Sequence, residues 1–490
     1  MMTLQQLLPE LPISAAHGAL TVKGLSLDSR RVKEGDVFIA LSGQQSDGRR
    51  YIDAAIHAGA VAVLAEAEQV SEADQGGVPV IGVPQLQAGS VALAAHFYGN
   101  PATALTIFGV TGTNGKSSVA WFLRDALNAI AMPCGLLGTL GAYFKDYHAD
   151  LGATTPDTFT LHESLAAFRD RGARYVSMEV SSHALTQDRL AGVPINVGAF
   201  TNLSRDHLDY HGDMDSYFVA KSRLFNSYGV DSAVINTSDA YGRRLADGLT
   251  SNIRCVRVAG VDADVRCSVF EPNQDGFVAH IQVVDQSMRV QVPLYGQFNL
   301  DNVMMVAGML AVLGVDIRSN ERALSAITPV PGRMQPVRLG NGPTVLVDYA
   351  HTPDGLEKAL CGIRDHFSGQ VWCVVGCGGD RDVGKRPQMA ACAEQFADHV
   401  IFTSDNPRSE SAQSIIADML AGVTVAEAIM VLVDRPAAVR HAVMQANAED
   451  VVLIAGKGHE RWQEVAGERF PMDDVMLARQ ALVERGERTS

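Results

Sequence analysis

The segment TGTNGKSS at 111–118 gathers the residue types that hold a polyphosphate. Glycines let backbone N–H groups face anionic oxygens, Lys116 can neutralise them, and the Ser117 hydroxyl can take a divalent cation. Gly112, Thr113, Asn114, Gly115 and Ser118 complete the cradle. It is not a full Walker A loop, because the six-residue frame ending at Gly115 starts at Val110, where that pattern requires glycine. Glu179, in RYVSMEVSSHAL, closes one apolar run, and His207, in FTNLSRDHLDYHG, follows another inside a polar cluster. A carboxylate and an imidazole at strand ends suit divalent-metal work, although each taken alone is more often a capping or solvated group. Lys221, in SYFVAKSRLF, reads by itself as a solvated lysine on an amphipathic helix.

These groups need elements to position them. The run TALTIFGV before the phosphate loop reads as a strand and VAWFLRDALNAI after it as a helix, which is how nucleotide-binding domains open. Further strands are expected at 175–180, 197–201 and 233–236, an alternating pair near 277–283 and 288–293, and a helix over 302–313. The middle region therefore reads as mixed α/β with a β-rich appendage. PVPGRMQPV, with three prolines in nine residues, interrupts regular structure and predicts a boundary near 330. Beyond it TVLVDYA, VWCVVGC, HVIFTSD, IMVLVD and VVLIAG alternate with helical stretches, the rhythm of a doubly wound parallel sheet. Ligands bind such sheets at the carboxyl ends of the strands, so the loops after Asp348, Gly376, Ser404 and Gly456 are expected to carry a site. The partition that results is 1–88, a small α/β domain; 89–330, a central P-loop ATPase-like α/β domain; and 331–490, a Rossmann-like doubly wound domain.

The chain has 490 residues, is 47% hydrophobic and carries a net charge of −15, enough length for about three domains. That acidic balance disfavours a nucleic-acid surface, which rests on Lys/Arg patches. No apolar run is long enough to span a membrane, and the N-terminus lacks a secretory signal pattern. Seven cysteines without a CxxC pair predict neither a disulfide framework nor a zinc knuckle, and a reducing cytoplasm fits them.

TGTNGK, MEVSSH, TNLSRDHLDYHG, GQFNLDN, DYAHTPDGL, GCGGDRDVGKRP, SDNPR and GKGHE, in this order over all three regions, resemble the Mur ligases of peptidoglycan synthesis. The resemblance implies a three-domain fold and an ATP- and Mg²⁺-dependent, ADP-forming amide ligase in cell-wall biogenesis, and so in cell shape and division. It implies addition of meso-2,6-diaminopimelate to UDP-N-acetylmuramoyl-L-alanyl-D-glutamate through an acyl phosphate, in the cytoplasm and by a monomer. Ser117 and Glu179 would hold one metal ion, and His207 a second. Lys221 aligns with a lysine carbamylated in this family, whose anionic form assists metal binding. ATP would further meet Asn299, Arg333 and Asp348. The UDP-muramoyl dipeptide would meet Leu27, Ser29, Gln44, Gln45 and Ser46 in the first domain, and Thr154, Thr155, Ser181, Gln187 and Arg189 in the second. Without the resemblance these segments are ordinary turns and capped loops. Diaminopimelate would meet Arg381, Asp405, Asn406, Pro407, Arg408, Gly456 and Glu460. Arg408 stands out, since a guanidinium receives a carboxylate through two parallel hydrogen bonds. Three rivals stay open: a lysine-adding homologue, a more distant folylpolyglutamate synthetase-like ligase without the first domain or DNPR, and a noncatalytic P-loop switch protein.

Overall fold

In a computed structural model, residues 2–43 and 47–489 are described, and they build three main sheets. The first has the order Gly24–Ser26, Asp36–Ala40, Ala62–Ala67, Val78–Pro84, Ser71–Gln75, parallel except for its last strand. Val37, Ile39, Ala62 and Leu64 form its buried face with Leu86 and Ala94 of the helix Leu86–Tyr98, which runs across the expected boundary at 88. Arg31 ties this unit to the next by donating to the carbonyls of Asp150 (3.0 Å) and Leu151 (3.4 Å).

The second sheet has eleven strands, with Thr106–Thr111 running parallel between Tyr175–Glu179 and Val197–Phe200. Its strand feeds the phosphate loop, so the loop opens at the carboxyl edge where the neighbouring chains also turn. Instead of a separate appendage, the β-rich part is a continuation of this sheet: Arg254–Val258 pairs with Val265–Asn273, and Gly276–Val283 and Gln286–Val292 follow antiparallel. Alternation in these last strands reflects one face packed on the core, where Phe277, Ala279, Ile281, Val290 and Val292 are buried with the helix Gln297–Val312. That helix starts five residues before the expected 302, since Gly296 at φ 83 ends the preceding extended chain.

The third sheet has the order Gln335–Val337, Thr344–Asp348, Val451–Ala455, Val371–Val375, His399–Phe402, Met430–Val431. Its first strand is antiparallel and the others parallel. Both faces of its central strands are covered by helices, which explains why those strands read as unbroken apolar runs, while the edge strand Met430–Val431 is exposed. No helix among the described residues is long and apolar enough to cross a membrane.

Candidate active site between the second and third sheets

Two glycines make the phosphate loop possible. Gly112 at φ 147 lies against the Thr201 hydroxyl, and Gly115 at φ 84 lies where a Cβ would stand 2.6 Å from Asn302 Oδ1. The loop is held by the segment after the neighbouring strand: Thr201 Oγ1 donates to the Asn114 carbonyl (2.6 Å), Asn202 Oδ1 accepts from Asn114 N (3.0 Å), and Ser204 N donates to Thr113 Oγ1 (3.0 Å). TNLS thus acts as scaffold for TGTNGK. Lys116 does not extend into solvent from the loop. It is the first residue of the helix Lys116–Ala129, and its ammonium folds back onto the carbonyls of Gly112 (3.0 Å) and Thr113 (2.7 Å). Desolvation lowers its pKa, with Glu179 and Asp206 opposing.

Glu179 pairs in register with Val110 on the adjacent strand, so its side chain emerges beside the loop. It accepts from Ser117 Oγ (2.8 Å) and from both the backbone (2.8 Å) and hydroxyl (3.1 Å) of Thr139. Thr139, which the motifs did not single out, also meets Thr154 Oγ1 at 3.1 Å, and so joins the carboxylate to the next segment. A hydroxyl and a carboxylate are hard oxygen donors that suit Mg²⁺. Among the described residues no group of three His, Cys, Asp or Glu could hold a metal ion.

Lys221 lies on the helix Met214–Ser227, whose buried stripe comprises Tyr217, Phe218, Ala220, Lys221, Leu224 and Phe225. Only 1% of it is exposed, which excludes the solvated reading. Its nitrogen donates to Gly112 O (2.7 Å), the carbonyl that Lys116 also uses, and stands 4.5 Å above the Tyr217 ring. Burial first, then Lys116, drive its pKa well below the usual amine value. Its surroundings therefore disfavour the charged ammonium, in a cationic setting where an anion would be stabilised. His207 stands half exposed at the edge of the same cleft, in a left-handed backbone conformation (φ 52), with its ring near Asp206. Burial lowers its pKa, leaving a neutral imidazole able to ligate.

The cleft has a volume of ≈ 270 Å³ and is lined by Lys116, Thr154, Thr155, Ser181, Arg189, His207 and Lys221 among others. Thr155 Oγ1 donates to Glu179 O (2.9 Å) and accepts from Ser181 N (3.0 Å); Ser181 in turn caps the helix Ser182–Thr186. Arg189 is anchored on Gln187 Oε1 (2.6 Å) and Thr155 O (2.8 Å), presenting a fixed cation. Leu27 packs on the first sheet's core and Ser29 begins a short 3₁₀ turn. Gln44, Gln45 and Ser46 lie outside the described residues.

Across the cleft Asn114 Nδ2 donates to Asp354 Oδ2 (3.2 Å), a direct link between the phosphate loop and the third domain's first helix, Pro353–His366. Arg333 lies over the Tyr349 ring (4.3 Å), and Asp348 accepts from Met334 N (2.6 Å) and Ala350 N (2.7 Å). Desolvation raises the Asp348 pKa, with Arg333 opposing. Asn299 points into its own helix bundle, donating to Tyr295 O (2.8 Å) and accepting from Asn302 (3.2 Å), so Asn302 is the residue of that motif that touches the loop.

The four expected loop ends of the third sheet come together. Gly456 N donates to Asp348 O (3.1 Å), and a Cβ on Gly456 would stand 2.5 Å from Asp405 Oδ2. Asn406 reaches Glu460 Oε2 (2.8 Å), and Arg408 Nη1 reaches Gly379 O (2.6 Å) with Nε 3.6 Å from Glu464. Arg381 is exposed on the loop opposite.

A P-loop linked through Asn114 and Asp354 to a doubly wound domain defines a nucleotide-binding α/β protein. Models of the Mur ligases match three stretches: their middle domain at 110–310, the glutamate ligase domain at 332–458, and the family's catalytic domain at 21–98. A UDP-N-acetylmuramoyl-L-alanyl-D-glutamate–2,6-diaminopimelate ligase of Xylella fastidiosa is 46% identical over 489 residues, 98% of this chain and 97% of that one. Its counterpart in Coxiella burnetii is 44% identical, covering 96% and 98%. A solved structure of a ligase of that name superposes with a TM-score of 0.66 at 34% identity, covering 99% of both chains. The chain belongs to the Mur ligase family, whose members are ATP-dependent, ADP-forming ligases.

Proposed function

We propose that this enzyme adds meso-2,6-diaminopimelate to UDP-N-acetylmuramoyl-L-alanyl-D-glutamate, acting as a cytoplasmic monomer of three domains. The observation that carries the reading is near-complete coverage by the two diaminopimelate ligases; Arg408, on the loop after the strand His399–Phe402, would supply a guanidinium for the amino acid's carboxylate. A substrate carboxylate is a poor electrophile. Transfer of the ATP γ-phosphoryl group converts it to an acyl phosphate, and the incoming amine then attacks the carbonyl carbon, with phosphate leaving as the C–N bond forms. Charge neutralisation is what the protein must supply.

Lys116, with the N-terminus of its helix and the loop's N–H groups, offsets phosphate charge. Ser117 and Glu179 would hold Mg²⁺, and His207 with Lys221 a second ion; bound there, Mg²⁺ supplies further neutralisation of the phosphates. A neutral Lys221 amine is the form that would add CO₂: an N–C bond would form, a proton would leave, and the carbamate anion would be near Lys116, whose nitrogen shares the Gly112 carbonyl with Lys221. Thr154, Thr155, Ser181, Gln187 and Arg189 would seat the muramoyl dipeptide, and Leu27 and Ser29 its nucleotide end. Asn299, Arg333 and Asp348 would flank ATP, with Asn302 supporting the loop.

ADP release is the direct test. It should require both the nucleotide dipeptide and meso-diaminopimelate, and the product should gain the mass of one diaminopimelate residue less water. ADP release that ignores the amino acid, or a product carrying lysine in preference, refutes the reading.

A further inference from the structure

Lys457, in the GKGHE segment, takes part in none of the steps above, yet it is a fully buried lysine, 0% exposed. It follows the strand Val451–Ala455, between Gly456 (φ 112) and Gly458 (φ 53), two left-handed positions that turn the chain so that the lysine points inward. Its ammonium donates to Asn406 Oδ1 (2.9 Å) and to Glu460 Oε2 (3.1 Å). Asn406 closes the ring by donating from Nδ2 to the same Glu460 oxygen (2.8 Å), and its Oδ1 also accepts from Glu464 N (3.0 Å). Every acceptor of Asn406 is thereby engaged, and one oxygen of Glu460 is doubly held.

The ring reaches Arg408 through the backbone. Arg408 sits in a left-handed conformation (φ 51), its N–H donating to Glu464 O (3.0 Å) and its carbonyl accepting from Ala466 N (2.7 Å). Glu464 is the residue whose N–H Asn406 receives, so one buried cation orders both the carboxylate Glu460 and the strand that aims the guanidinium.

We propose that Lys457 is a positioning residue for the amino-acid acceptor site, setting Glu460 to receive the ammonium and Arg408 the carboxylate of a zwitterionic substrate end. The proposal rests on the acceptor reading above. The arrangement has a physical reason. A carboxylate tethered through one oxygen to a buried ammonium cannot turn away, and its second oxygen is left for the ligand. An amino acid ending in both a carboxylate and an ammonium would then fit two fixed, opposite charges, whereas an amine alone would satisfy only Glu460.

The test is steady-state kinetics of the full-length enzyme carrying Lys457→Met or Lys457→Gln, the second keeping a donor without the charge. The expected result is a rise in KM for meso-diaminopimelate of about tenfold or more. KM for ATP and for the nucleotide dipeptide should stay near wild type, with a smaller rise in Lys457→Gln than in Lys457→Met. A uniform loss in all three constants, or failure of both variants to fold, assigns the lysine to the fold and overturns the proposal. So does an amino-acid KM within about twofold of wild type. If the wild-type enzyme itself does not use meso-diaminopimelate, the acceptor reading has failed instead, and the wild-type control separates the two.

Discussion

Two lysine nitrogens converge on the carbonyl of Gly112, and one of them is buried without a carboxylate hydrogen-bonded to it. A permanent ammonium there would repel Lys116, so the site favours a neutral or anionic Lys221. Lys221→Ala should therefore lose most activity, and short carboxylic acids in the medium should restore part of it by placing an anion in the space vacated; full activity of the variant without them refutes the role. Arg408 invites a second residue-scale test. Its Nη1 is held by Gly379 O and its Nε lies 3.6 Å from Glu464, which restrains the guanidinium. A site built to bond a polar group rejects an analogue lacking it by as much as about 10⁴-fold, because its partner is left unsatisfied. The ratio of kcat/KM for meso-diaminopimelate over L-lysine should be large in the wild type and collapse in Arg408→Ala; Arg408→Lys should recover little of it, since an ammonium offers no planar two-point contact. An unchanged ratio in Arg408→Ala would move the enzyme toward the lysine-adding alternative.

At the scale of the element, the helix Met214–Ser227 shows why position matters more than type. Tyr217, Phe218, Leu224 and Phe225 recur at the three- and four-residue spacing of one helical face, and Lys221 falls at the centre of that face. The signal for its burial was thus present in SYFVAKSRLF, although the residue type argued for solvent. Asp213 caps the helix, accepting from Ser216 N (2.7 Å), and Leu224 is 0% exposed in the core beneath. Asp213→Ala should lower unfolding free energy by about 1 kcal/mol. Leu224→Ala should lower it by about 2–5 kcal/mol through a cavity beside Lys221. Urea titration monitored by circular dichroism measures both, and a larger effect from the cap than from the core would contradict this placement. The strands tell a similar story: the central ones of the third sheet were legible as apolar runs because both faces are covered, while Val265–Asn273 was missed because its outward residues are largely polar and exposed.

For the whole molecule, seven histidines, at 162, 183, 207, 211, 351, 366 and 459, have pKa values lowered chiefly by desolvation, His459 to about 4. The unfolded chain binds protons to these groups near the ordinary imidazole value, before the folded state does. Stability from them is full above about pH 6.5 and falls as the pH drops toward their lowered values. Asp301, raised to about 6 by burial, has the opposite sign: it favours the folded state as the pH falls through 6. Burial raises Glu163 and Asp348 as well, so seven groups stand against three, and the melting temperature should be lower at pH 5.5 than at pH 7.5. A higher Tm at pH 5.5 would show that the buried carboxyls dominate.

The class of chemistry was decided by residues close in sequence. TGTNGK brings its turn and lysine within a few residues of each other, although TNLS holds the loop in place, and the parallel sheets follow from runs whose hydrophobicity does not depend on partners. What needed the tertiary structure was every relation between distant segments. Glu179 meets Ser117 because its strand pairs in register with the strand that leads into Ser117's helix, and Asn302, not Asn299, touches the loop because helix rotation chooses which amide faces it. Lys116 and Lys221 share a carbonyl 109 residues from the latter in the chain, and Lys457 joins Asn406 across 51 residues. Such contacts depend on how elements pack, and packing is set by the summed burial of many side chains, a quantity no single motif carries.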